Sequence, residues 1–262
     1  MKILLGVPHN GHVTWQSSQA AWKSSAKHEV QIANIGSSLL ALGFNSLFAD
    51  ALNRQESGDF VECIAMLHSD LAPPEFWLDT LVEIMESKQA DFVSVINAIK
   101  DDRGITSSGV GLSGHTWQPW RRFTIRELAG WPETFNAADI GYSGYALLHN
   151  TGCWLADLRK PLFHQEDEHH QLRAFFTIND RVIRHKGKWK AEVEPEDWYF
   201  SRRLFDLGAN TYVTRSVVTR HTGSREYTNV PDWGTNIQDT DLMREWEDIG
   251  GPTKQEASHV DP

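Results

Sequence analysis

Apolar and polar positions alternate in a regular order through the first hundred residues. Residues 2–9 (KILLGVPH) form a β-rich run that stops at Pro8 and the turn pair Asn10-Gly11. Residues 13–26 place Val13, Ala20, Ala21 and Trp22 at helical spacing, and residues 29–36 (EVQIANIG) alternate as a half-buried strand does. Ser37-Ser38 then predict the cap of a helix reaching about Leu52, with Leu39, Leu42, Phe44, Leu47, Phe48 and Ala51 inward. Residues 60–67 (FVECIAML) are almost continuously apolar, the pattern of a central strand covered on both faces. Pro73-Pro74 are expected to open the next helix, with Glu75 and Asp79 near its positive end, and residues 91–99 (DFVSVINAI) read as another strand.

This β-α-β-α-β-α-β order predicts an α/β fold, a Rossmann-like, mostly parallel central sheet with helices on both faces. Such sheets bind ligands at the carboxyl ends of their strands. The residues just past each strand are therefore candidates: His9-Asn10, Gly36-Ser37, His68-Ser69-Asp70 and Lys100-Asp101. The second half is less regular. Residues 101–140, rich in Gly, Ser and Trp, read as loops. Residues 142–160 suggest a strand, a turn at Thr151-Gly152 and a short helix; residues 171–190 suggest strands or a hairpin around Lys186-Gly187. Residues 195–207 (PEDWYFSRRLFDL) are a clear helix, with Pro195 at its start, acids in its first turn and Gly208 after its end. Residues 211–218 are a β-branched strand leading to His221, and residues 250–262 read as a loose tail.

Charge refines this outline. The chain of 262 residues carries a formal net charge of −10, an acidic balance that argues against a general nucleic-acid coat protein. Eight acids between Asp232 and Pro262 meet only Arg244 and Lys254, so that segment supplies −6 of the −10. The expected organisation is one catalytic domain over residues 1–231, with a nucleotide-binding half (1–104) and an acceptor-side half (105–231), followed by the acidic segment 232–262. Against the trend, residues 181–190 (RVIRHKGKWK) hold five Lys/Arg, one His, one Trp and no acid. A charge run is usually a solvated face. The alternative is an anion-facing element, with Arg184, Lys186 and Lys188 as cations and Trp189 as a stacking surface. Trp120-Arg121-Arg122 is a second, smaller basic knot. No apolar run approaches a membrane span, the N-terminal apolar run is too short for a signal peptide, and Cys63 and Cys153 cannot build a disulfide framework, so the expected compartment is the cytoplasm.

Several motifs carry little. Gly109-Val-Gly111-Leu-Ser-Gly114 has the spacing of a dinucleotide fingerprint, but it neither follows a strand directly nor opens a helix. Glu166, His169 and His170 read as a solvated turn. Three elements say more. His68-Ser69-Asp70 ends the central apolar strand, where a carboxylate can hold a divalent cation bridging two phosphates or simply cap a turn. Glu196-Asp197 begin a helix, as dipole partners or as a general base toward a hydroxyl. His221 follows the last strand and can complete a metal site begun by Asp70.

Taken in order, ILLGVPHN, GDFVECIAMLHSDLAPPEFWLDTL, HNTGCWLADLRKP and PEDWYFSRRLFDLGANTYVTRSVVTRHTG resemble a GT-A-fold glycosyltransferase of the family 2 type, over roughly residues 2–224. The resemblance implies a nucleotide-diphosphate sugar as donor, a divalent metal (Mn²⁺ or Mg²⁺) and inversion at the anomeric carbon. It implies Asp197, with Glu196, as the catalytic base, and Asp70 and His221 as metal ligands. The family's Asp-x-Asp reads His68-Ser69-Asp70 here, so His68 is a metal ligand, a ribose partner or neither. Nucleotide-sugar contacts map onto Pro8, His9, Asn10, Ser37, Asn45, Ser69, Lys100, Arg103 and Arg225. The acceptor is either a hydroxymethylated base in DNA, as in phage-type modification enzymes, or a saccharide or glycoconjugate. Arg184, Lys186, Lys188 and Trp189 fall on its side. The competing classes are a nucleotidyltransferase, for which GVPHNGHV lacks the phosphate-loop Lys, and a non-catalytic nucleotide-sugar-binding module.

Overall fold

The computed structural model describes residues 1–112, 117, 120–230 and 233–235. The acidic segment 232–262 and Gly114 of the glycine motif therefore lie outside the described residues, Trp233–Thr235 excepted. The first half follows the alternation: β1 (Lys2–His9), α1 (Trp15–Trp22), β2 (Glu29–Gly36), α2 (Leu40–Glu56), β3 (Cys63–Leu67), the short β4 (Leu71–Ala72), α3 (Trp77–Lys88) and β5 (Phe92–Val95). The second half adds β6 (Ile105–Gly111), β7 (Trp120–Thr124), the single turn α4 (Ile125–Leu128), β8 (Thr134–Phe135), β9 (Ala146–Leu148) and β10 (Cys153–Asp157). It ends with β11 (Asn179–His185), β12 (Lys188–Glu194), α5 (Glu196–Asp206), β13 (Thr211–Thr214), β14 (Arg220–Thr222) and β15 (Glu226–Thr228).

Seven strands make the central sheet in the order β2-β1-β3-β10-β5-β13-β8. β1 runs parallel to β2 and β3, and β5 parallel to β13; β10 and β8 are antiparallel insertions. The expected mostly parallel α/β sheet is the observed one. Alternation on β3 feeds two cores. Cys63, Ala65 and Leu67 face Trp77, Leu81 and Met85 of α3, and Ile64 and Met66 face Phe44 and Phe48 of α2. Phe200 and Leu204 of α5 complete the second core, where Phe200 stacks on Phe176 at 4.1 Å. Burying such aromatic side chains contributes roughly 1.5–3 kcal/mol each. Smaller sheets, β7-β6-β9 and β15-β14-β4, flank the carboxyl edge.

Four expectations fail for identifiable reasons. Ser37-Ser38 do not cap α2: Ser37 Oγ is taken by Leu39 N–H ahead of the first turn, Leu39 is the N-cap without a side-chain bond, and Leu39 and Leu42 are exposed rather than inward. Pro73-Pro74 do not open α3, because Phe76 and Leu78 donate their backbone N–H groups to Lys23 and Ser24. Phe76 is left-handed there, and the helix begins at Trp77. Residues 153–157 are a strand rather than a short helix, since β10 pairs with β3 on one side and β5 on the other. Residues 105–111 and 120–124 are strands rather than loops. Gly109 permits this close pairing, because any Cβ there would collide with the Arg121 carbonyl oxygen. The first two glycines of the fingerprint-like motif thus serve β6, not a dinucleotide.

Candidate active site

Asp70 sits in the turn after β3, and β4 carries it beside the end of the chain's last sheet. In the β4–β14 pairing His221 lies opposite Leu71, and Thr222 donates its N–H to the Asp70 carbonyl at 2.9 Å. This places His221 Nε2 3.6 Å from Asp70 Oδ1. His221 Nδ1 lies 2.9 Å from the Ala98 carbonyl oxygen, which can only accept, so Nδ1 carries the proton. In neutral His221 the Nε2 lone pair then faces a carboxylate oxygen, and the pair needs a proton or a cation between its members. Lys100 Nζ forms an ion pair with Asp70 Oδ2. Burial alone would raise the Asp70 pKa, but His221 and Lys100 outweigh it and hold the carboxyl well below the usual range.

His68 anchors the same corner differently. Its backbone N–H donates to Gly152 at 2.7 Å, and its ring stacks on Phe44 with centroids 5.3 Å apart. Nε2 is buried without a hydrogen-bond partner, and burial pushes the imidazole down to about 4, against the pull of Asp70. Gly152 packs tightly here: a Cβ would stand 2.5 Å from Leu71 Cδ1 and 2.8 Å from Asn150 Oδ1 and would displace both side chains. Behind it, Asn97 donates to Asn150 and accepts from Thr219 Oγ1 at 2.7 Å, while Asn229 donates to the carbonyls of Ile96 and Val217. This buried amide network fixes the loops that present Asp70 and His221.

Among the described residues, no three His, Cys, Asp or Glu side chains converge to hold a metal ion, and His68 does not join Asp70 and His221 in such a group. Asp70 and His221 thus offer one carboxylate and one imidazole nitrogen facing each other across 3.6 Å.

Glu196 and Asp197 form the first turn of α5, and both are buried. Asp197 accepts from the Trp198 N–H at 2.8 Å. Burial and the neighbouring Glu196 raise the Asp197 pKa well above the ordinary carboxylate value, with Arg122 opposing; burial raises Glu196 also. The Arg122 guanidinium lies 4.4 Å from the Trp198 ring and 5.3 Å from that of Trp120, and it donates to the Thr106 carbonyl. Trp198 Nε1 donates to Ser107 O on β6, and Thr106 bridges to Ala98, whose carbonyl holds His221. One strand, β6, thus links the two carboxylate centres.

The remaining predicted residues divide. Pro8, His9 and Asn10 lie at the end of β1, and Gly11 N–H donates to His9 Nδ1 at 3.1 Å. Ser37 Oγ is engaged with Leu39, and the Ser69 carbonyl accepts from Thr14 N–H at 2.8 Å. Asn45 donates its amide to Phe176 O at 2.7 Å and accepts from Phe176 N at 2.8 Å, so both ends clamp a backbone segment. Arg103 is held by Asp101, and Arg225 pairs with Asp102 over the Tyr227 ring. Arg184, Lys186, Lys188 and Trp189 sit exposed on the β11–β12 hairpin, whose last residue, Glu194, is ion-paired with buried Arg202 at 2.7 Å. Glu166, His169 and His170 lie on an exposed turn. Cys63 and Cys153 are buried, free thiols.

Sequence reasoning passes over the amides Asn97, Asn150 and Asn229, and over Arg122 and His149. Arg122 belongs to a basic knot that charge marks without assigning it a role. His149 is buried, with Nδ1 3.0 Å from Ser94 Oγ and its ring edge-on to Phe92; burial pushes it down to about 3. No local pattern distinguishes these positions.

No family profile matches the chain, and no curated protein matches it by sequence. Among solved structures, it is similar to A197 from STIV at 15% identity and a TM-score of 0.49, over 91% of this chain and 98% of that one. It is also similar to S. aureus TarS 1-349 in complex with UDP-GlcNAc, at 12% identity and a TM-score of 0.41, over 95% of this chain and 65% of that one. No helix among the described residues is long and apolar enough to cross a membrane.

Proposed function

We propose that the protein is a glycosyltransferase that moves a sugar from a nucleotide-diphosphate donor to an acceptor hydroxyl, with inversion. The observation that carries this reading is a pair of carboxylate centres, joined through β6, whose surroundings displace their pKa values in opposite directions. Asp70 is held ionised beside His221 and Lys100, and Asp197 is buried beside Glu196 with its pKa raised. Asp70 and His221 would hold a divalent cation, Mn²⁺ or Mg²⁺, which when bound supplies Lewis-acid neutralisation of the leaving diphosphate. Lys100 adds a positive charge at the same place. The loops after β1 and β2, with Pro8, His9, Asn10 and Ser37, would border the nucleotide. His68 would line the donor pocket through its unpartnered Nε2.

At the other centre Asp197 takes the acceptor proton as the hydroxyl oxygen bonds to the anomeric carbon. The carbon–phosphate oxygen bond breaks, and its electron pair leaves with the diphosphate. A raised carboxylate pKa strengthens a base that must take a proton from a hydroxyl near neutral pH. The Arg122 charge opposes the rise at Asp197.

A labelled-sugar screen across UDP-, GDP- and CMP-sugars with Mn²⁺ tests the reading. The expected result is turnover of one donor class, with the product's anomeric configuration opposite to the donor's by NMR. Absence of turnover with every donor class, or undiminished turnover in both Asp70→Asn and Asp197→Asn, overturns it.

A further inference from the structure

Among the described residues, the β11–β12 hairpin forms a two-stranded sheet of its own. Its strands are seven residues each, so it extends about 23 Å. Lys186 and Gly187 both have positive φ, 47° and 80°, the geometry of a tight hairpin turn. Cation and aromatic are concentrated at that end. Arg184 lies directly across from Trp189, its guanidinium 5.9 Å from the indole, and Trp189 is 72% exposed. Glu192 pairs with both Arg181 and Lys190 and offsets one of their two charges. Arg184, Lys186 and Lys188 have no carboxylate within ion-pair distance among the described residues.

We propose that this hairpin is a docking arm for nucleic acid, with Arg184, Lys186 and Lys188 on phosphates and Trp189 stacked on a base. The order of residues along the arm selects this partner. The exposed apolar residues are Val193 near its root and Val182 at its middle, while Arg184, Lys186 and Lys188 occupy its tip. A hairpin that enters a bilayer needs the reverse, an apolar tip with cations behind it. An acidic protein or a charged polysaccharide would satisfy the cations but offer no regular succession of flat rings to an exposed indole. A nucleic-acid strand supplies both at short spacing.

The arm is also rigidly rooted. Glu194 at its end is locked to buried Arg202, and the next residues but one are Glu196 and Asp197. A strand held at the tip is therefore tethered within an arm's length of the proposed base. Binding by the arm stands by itself; only its consequence, an acceptor hydroxyl carried on nucleic acid, rests on the glycosyl-transfer reading.

The test is fluorescence anisotropy of a labelled single-stranded oligodeoxynucleotide with the whole protein, in EDTA and without donor, from about 50 to 200 mM salt. Binding is expected to weaken steeply with salt. Changing Arg184, Lys186 and Lys188 together to Gln should flatten the log–log slope by about 2, at roughly 0.7 for each phosphate that is no longer neutralised. Trp189→Ala should weaken binding about 5- to 100-fold with the slope unchanged. All four side chains are exposed, so unchanged thermal melting of the variants confirms that the fold is intact. The proposal is overturned if the wild type does not bind at the lowest salt, if both variants bind as it does, or if phosphatidylserine vesicles are bound and the oligonucleotide is not. Arm binding that persists while no donor is turned over leaves the arm standing and removes the transferase reading alone.

Discussion

Asp70 and Asp197 are the same side chain in two opposite environments. Asp70 lies in a turn at the sheet's carboxyl edge, faces His221 and Lys100, and is held ionised although burial works against it. Asp197 lies in the first turn of α5, where the helix dipole favours its charge, yet burial and Glu196 push its pKa up. The contrast shows that position at a ligand-binding edge does not decide what a carboxylate does. Its nearest charges and its access to water decide it. A group held ionised can only attract cations, whereas a group with a raised pKa can take and return a proton.

The strongest way to break the comparison is to remove each charge in turn. Asp197→Asn is expected to lower kcat about 10²- to 10⁴-fold with little change in donor KM, since it removes proton transfer and leaves donor contacts in place. Asp70→Asn should instead raise donor KM and abolish the response of activity to added Mn²⁺. Steady-state kinetics over a Mn²⁺ series separates the two. The same pattern in both variants would mean that the carboxylates act as one centre.

A smaller effect sharpens the assignment. Ionisation of Asp197 should set the acidic limb of kcat/KM, above the range of an ordinary carboxylate. Glu196→Gln removes a neighbouring negative charge and should move that limb to lower pH. Arg122→Gln removes the opposing positive charge and should move it to higher pH. Each unit of displacement is a tenfold change in rate on the limb, roughly 1.4 kcal/mol. Asp70 lies far below this range, so Lys100→Gln should leave the limb in place. A limb that follows Lys100 rather than Glu196 and Arg122 would transfer the base role to the Asp70 side.

The two centres are not equally legible in the sequence. Strand ends after continuous apolar runs point to Asp70 directly, because a run such as CIAML must cross the core and emerge at the edge. His221 is less direct: the β-branched strand ends at Thr214, and His221 lies within the separate short strand β14. Asp197 is legible as a helix-start acid, but its burial is not, since Trp120, Arg122 and Trp198 meet only through β6 and β7. Those strands are written in Gly, Ser and Trp, and their pairing depends on a backbone approach at Gly109 that no apolar period records. Pro73-Pro74 mislead for a related reason: distant carbonyls at Lys23 and Ser24 claim the donors that would have opened the helix. The clamp that Asn45 makes on Phe176 is likewise invisible in the sequence, because its partner lies 131 residues away.

Stability gives the smallest signal and the cleanest sign. For Asp197 the folded state binds its proton more tightly than the unfolded chain does. Stability therefore falls as pH rises from about 3.9, the unfolded carboxylate value, through the raised folded value. Above that window the folded protein carries the full cost of an ionised buried carboxylate. For Asp70 the sign is reversed: the folded pKa is depressed, so its contribution is complete above about 3.9 and is lost as pH falls through the folded value. At neutral pH, Asp197→Asn should therefore stabilise the protein by about 1 kcal/mol, the gain typical when a functional group held in an unfavourable environment is replaced. Asp70→Asn should destabilise it by about 1 kcal/mol, because it removes the charge-assisted contacts to Lys100 and His221. For a chain of this size these changes are melting shifts of about 2–4 °C in opposite directions. Calorimetry at pH 7 reads both. Shifts of the same sign would show that the two carboxylates share one kind of environment and remove the contrast between them.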